Sequence, residues 1–162
     1  MALKEGLAWL EAQPFATAIA ESGWLFPVIE VVHVVALTLV VGSIAMLDLR
    51  LLGVSRKDYG VLELASQTLP WTWRAFAVAV ITGALMFSSA ATSYAANIPF
   101  RIKLVLIALA GINMVVFHVT AYRTAHRWNH QIPTPVAARI AGTLSLSFWI
   151  GVVFFGRWIG FV

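Results

Sequence analysis

Residues 24–52 read WLFPVIEVVHVVALTLVVGSIAMLDLRLL. At about 1.5 Å of helical rise per residue, this run exceeds the ~30 Å hydrocarbon core of a bilayer. Besides Arg50 near its end, three ionisable side chains sit inside it: Glu30, His33 and Asp48. The run therefore predicts a transmembrane helix, and those three residues pose the functional question. Ionisable groups in hydrocarbon cost several kcal/mol unless paired, bound or used.

The rest of the chain repeats the pattern. Further apolar stretches run from about Trp73 to Tyr94 after Pro70, and from about Phe100 to Tyr122 after Asn97 and Pro99. A last one runs from about Val136 to Phe161 after Pro133 and Pro135. Trp24, Trp71, Trp73, Tyr94, Tyr122, Trp128 and Trp158 fall near their ends, where amphipathic rings favour the headgroup layer. Before them, Leu3, Leu7 and Leu10 recur at helical spacing beside Trp9. Glu5, Glu11 and Pro14 interrupt any signal-peptide core there, so the segment reads as an interfacial amphipathic helix. The expected architecture is all-α: an interfacial helix over residues 1–22 and a four-transmembrane-helix bundle over 23–162. The turn from Gly53 to Leu69 has room for a short surface helix.

Composition agrees. Of 162 residues, 60% are apolar and 11% charged, against about 25% charged in soluble proteins. Mean hydropathy is +0.87. Without cysteine, the chain forms no disulfide, thiolate metal site, iron–sulfur cluster or cysteine nucleophile. There is no phosphate loop, no nucleophile motif with a base, and no zincin pair. The net charge of +4 is spread along the chain, so nucleic acid is not an expected partner. The spread instead fits the positive-inside rule. Arg50, Arg56, Lys57, Arg74, Arg123, Arg127 and Arg139 cluster at the first and third turns, against Lys4, Arg101, Lys103 and Arg157 on the other side. This predicts cytoplasmic first and third turns and outward termini in a bacterial inner membrane.

Glu30 and His33 are one helical turn apart, and Asp48 returns to their face five turns after Glu30. The three form a polar stripe expected to face protein. His118 and Asn113 lie on the third helix, with Asn113 expected to hydrogen-bond across helices. His126 and His130 read as solvated loop residues. His33 and His118 are either buried neutral imidazoles or ligands. Imidazole binds haem iron, and bundles place cofactors between facing helices. Arg101, Lys103 and Arg157 share the outer side with His33 and can neutralise propionates. Arg50 or Arg74 can do so near His118. Trp149, Phe148, Phe154 and Phe155 can line a macrocycle. The two histidines differ by roughly 14 Å in depth along their helices, so one iron bridged by both is disfavoured. Gly156 with Gly160, and Gly142 with Ser145 and Trp149, are helix-contact signals that also permit a homo-oligomer.

Several of these landmarks carry a resemblance. Glu30-Val-Val-His33, Gly42 and Asp48-Leu-Arg50-Leu-Leu-Gly53 look like the first helix of an uncharacterised family of small bacterial four-helix inner-membrane proteins. Leu69-Pro70-Trp71, Asn97, Phe100 with Lys103, Phe117-His118, Ala138-Arg139 with Gly142, and Gly156-Arg157 match its other signposts. That resemblance implies fold and location. A looser one, to cytochrome b561-type and copper-resistance-D-type bundles, implies haem b on transmembrane histidines. The expectation is a haem-b-binding membrane protein with cofactor residues Glu30, His33, Arg101, Lys103, His118 and Arg157 and iron ligands His33 and His118, serving electron transfer with an unidentified redox partner or haem handling. The alternatives are a small transporter or proton relay through Glu30, His33, Asp48 and His118, and a structural subunit.

Overall fold

The computed structural model describes residues 2–55, 58–130 and 132–161. Arg56 and Lys57, two of the turn cations, lie outside them. The described residues are helical, with no strand among them. Four helices are long and apolar enough to cross a membrane: α3 (Leu25–Leu51), α4 (Val61–Ser88), α6 (Ile98–Val119) and α8 (Val136–Trp158). Short helices α1 (Ala2–Glu11), α2 (Pro14–Glu21), α5 (Ala91–Ala96) and α7 (Ala125–Trp128) decorate the ends. Many large apolar side chains of the long helices stay exposed, among them Val31, Val35, Leu39, Ile81, Val105, Ile112, Val115 and Ile150. That outward apolar surface is what a lipid environment accommodates and water does not.

The amphipathic segment is two helices, not one. Pro14 has no N–H to continue α1, so it opens α2 at its first turn. Glu11 ties α1 to α5, accepting bonds from the Thr92 amide at 2.7 Å and the Thr92 hydroxyl at 2.6 Å. The second span also starts earlier than Pro70 suggests. Val61, Leu64, Ala65, Thr68, Thr72, Ala75, Ala79 and Thr82 form one buried stripe at helical spacing. Its burial carries the helix straight through Pro70, which sits exposed on the opposite face and gives up one backbone bond. The expected surface helix in the turn is thus the first turns of α4.

α3 packs along α4, α6 along α8, and α3 also along α8, whereas α4 and α6 have no comparable seam. α8 approaches α3 closely at Gly142, where a Cβ would lie 3.2 Å from the Asp48 carbonyl oxygen. At the end opposite the termini, buried Arg50 closes the bundle. Its Nε donates to the Tyr59 carbonyl at 2.7 Å and its Nη2 to the Asn129 carbonyl at 3.0 Å. Asn129 in turn accepts from the Val61 and Leu62 amides, satisfying the start of α4. Thr134 donates to the Leu51 carbonyl. Arg50, an expected propionate partner, instead gives Nε and Nη2 to backbone carbonyls, and its Nη1 is buried without a partner.

Candidate functional site

The α3 stripe His33, Ala36, Val40, Asp48 and Leu51 is buried, so two of the three expected stripe members face protein. Glu30 does not; it is exposed. Its angular position matches that of Asp48, five turns on, but near the start of α3 that position is left uncovered. The two buried groups have opposite surroundings.

His33 is enclosed between α3 and α4. Thr82 gives its hydroxyl proton to the Val78 carbonyl at 2.7 Å. It is therefore the acceptor for His33 Nδ1, 2.9 Å away. Gly83 leaves the room: a Cβ there would stand 3.1 Å from His33 Cε1. Lys103 is half-buried against Gly156. Arg101 is exposed, and so is Arg157, whose guanidinium lies 5.2 Å over the Phe161 ring. Of the expected outer cations, Lys103 is half-buried in the bundle while Arg101 and Arg157 stay exposed.

Fifteen residues further along α3, about 22 Å of helix, the four long helices surround a cavity of about 230 Å³. Its walls are mainly apolar: Val40, Leu47, Trp73, Phe76, Phe117 and Trp149. Asp48, Asn113, His118 and Ser145 are polar groups lining it. The space lies where α4 and α6 fail to pack, and Ala110 and Gly111 of α6 leave it unfilled.

Asp48 is 5% exposed. Ser145 hydrogen-bonds one side of its carboxyl group, while Oδ2 is buried without a hydrogen-bond partner. An unpartnered buried polar atom is costly and calls for an explanation. His118 is half-buried, with its ring centroid 4.9 Å from that of Tyr122. The Met114 carbonyl, 2.9 Å from His118 Nδ1, can only accept, so Nδ1 carries the proton and Nε2 the lone pair. Asn113 bonds across helices as expected, donating to the Ala141 carbonyl at 2.9 Å. Buried Trp149 lines the cavity, whereas Phe154 is exposed and stacks on Trp158.

The structure thus joins Asp48 and His118 but leaves His33 in another layer, as the depth difference implies. A bis-histidine haem does not fit. No group of three or more His, Asp or Glu side chains is placed to hold a metal ion among the described residues. Sequence reasoning missed Thr82, the partner of His33, and took Ser145, beside Asp48, only as a helix-contact residue. The small residues Gly83 and Ala110, opposite large neighbours, were the available signal.

Residues 15–162 match the model of a family described as a family of unknown function (DUF6644). No curated protein and no solved structure matches the chain.

Proposed function

We propose that the chain, which belongs to the family of unknown function DUF6644, is an integral membrane protein that holds a small, mostly apolar ligand in the cavity between its four long helices. One observation carries this reading: Asp48, buried and with one carboxyl oxygen unpartnered, is among the residues that line a mostly apolar chamber. Apolar pockets with a few convergent polar groups are the usual form of small-molecule sites. The volume, about 230 Å³, exceeds the ~150 Å³ void that takes benzene and falls below the ~300 Å³ where drug-sized pockets begin. The gap between α4 and α6 supports entry from the lipid side. The Lys and Arg bias supports both termini outward, with the cavity in the cytoplasmic half of a bacterial inner membrane.

The test is extraction. Protein purified from membranes carries a small molecule recoverable in organic solvent at near-stoichiometric amount, and Ala110→Trp, which fills the cavity, does not. Equal recovery from both proteins contradicts the reading.

Haem b on His118 is the second reading. The Nδ1–H bond to a backbone carbonyl is the arrangement that orients a metal-binding imidazole. Nε2 would hold the iron, and the macrocycle, larger than the cavity as it stands, would supply one-electron chemistry. Arg50 is not free for a propionate; Arg74 lies exposed, 5.2 Å over the Trp71 ring. Protein from haem-replete cells then shows a Soret band that His118→Ala removes. A colourless native protein ends this reading and leaves the first intact.

A further inference from the structure

The charge pattern of the cavity narrows what enters it. This inference rests on the proposed ligand site and names the class of its occupant. Among the described residues lining the chamber, Asp48 and His118 are titratable and no Lys or Arg contributes. The nearest cation in sequence, Arg50, is turned away toward the Tyr59 and Asn129 carbonyls. Ionised Asp48 therefore has Ser145 for a hydrogen bond and no counter-ion in the cavity wall. Ion pairing inside a low-dielectric site is strong, and an unpaired carboxylate there is costly.

The walls point the same way. Trp73, Phe76, Phe117 and Trp149 are among the residues that line the chamber. Aromatic faces attract desolvated cations, Trp most strongly. A divalent metal ion would call for several carboxylates, and among the described lining residues Asp48 alone carries one. An anion would meet Asp48. We propose that the cavity binds a small organic monocation, an amine or quaternary ammonium with an apolar body. The Asp48 carboxylate is its counter-ion, and the tryptophan and phenylalanine rings are its walls. His118 also lines the chamber, and with Nδ1 bonded to the Met114 carbonyl the Nε2 of its neutral ring is an acceptor suited to an ammonium N–H.

The experiment compares two probes of nearly equal shape. Benzyltrimethylammonium carries the charge, and neopentylbenzene is its uncharged carbon isostere. Each is titrated into the full-length protein in lipid nanodiscs and followed by tryptophan fluorescence. The native protein binds the cation at least tenfold more tightly than the isostere. Asp48→Asn loses that preference and still binds the isostere, which also shows that the variant is folded. If Asp48→Asn does not fold, the native comparison alone decides. Equal or tighter binding of the isostere by native protein overturns the monocation assignment while the cavity site stands, as does an unchanged preference in Asp48→Asn. Absence of saturable binding by either probe, with Ala110→Trp giving the same response as native protein, overturns both.

Discussion

Two layers of the same bundle bury an ionisable residue of the same helix in opposite ways. Around His33, α3 and α4 close against each other: the ring has Thr82 for a partner and Gly83 for space. Around Asp48, α4 and α6 stay apart, and one carboxyl oxygen has no partner. Burial alone therefore does not mark a site. A satisfied polar group helps to fix packing, whereas an unsatisfied one beside a void implies that something else completes it.

Adding volume to each layer separates them most sharply. Gly83→Leu drives atoms into the His33 ring and destabilises the protein by about 1–3 kcal/mol, as overpacking does. Ala110→Leu grows into the cavity, so it leaves thermal stability unchanged or raises it by about 1 kcal/mol. Thermal unfolding in one detergent reads both. Equal losses would erase the distinction between the layers.

Removing the polar group gives a smaller contrast. His33→Leu loses the Thr82 bond and costs about 1 kcal/mol, with ligand binding retained. Asp48→Leu removes an unpartnered buried group, so stability holds or rises, and only binding falls. Denaturation midpoints measured beside binding decide the pair. A loss at Asp48 matching that at His33 would mean that Asp48 is packed as tightly as His33.

The smallest effect lies outside both layers. The bonds from the Thr92 hydroxyl and amide hold the Glu11 carboxyl below the usual carboxylate range. A lowered folded-state value means that the α1–α5 contact is complete above the ordinary carboxylate range. It is lost as the pH falls through the lowered value. Spin labels on α1 and α5 report this as added mobility at acid pH, and Glu11→Gln shows it already at neutral pH. A pH-independent contact in the native protein would show that Glu11 does not hold it.

How far the sequence could be read follows from the same physics. The four long helices are visible because span length and hydropathy are summed over twenty or more residues, and one exception does not blur them. Pro70 was such an exception: the local rule starts a helix there, but the buried stripe from Val61 to Thr82 overrides it. Periodicity also put His33 and Asp48 on one buried face, and missed on Glu30 because periodicity gives a face of one helix and not how far its neighbours cover that face. The cavity was not legible. It depends on α4 and α6 standing apart, a relation between helices that no stretch of one helix encodes. Ser145 and Thr82 became meaningful only once their helices were placed beside Asp48 and His33.

The lack of native cysteine makes a direct test of the central claim possible. Ala36 and Ala110 are both buried alanines, 4% and 7% exposed; Ala36 follows His33 by one turn, and Ala110 lines the cavity. Ala36→Cys and Ala110→Cys proteins, each with its single thiol, are treated in membranes with methylmercury and sampled by mass spectrometry. If the cavity is an open ligand site, Cys at 110 reacts at least tenfold faster than Cys at 36, and bound ligand slows it. Equal rates at the two positions, or a rate at 110 that no ligand changes, would contradict the account.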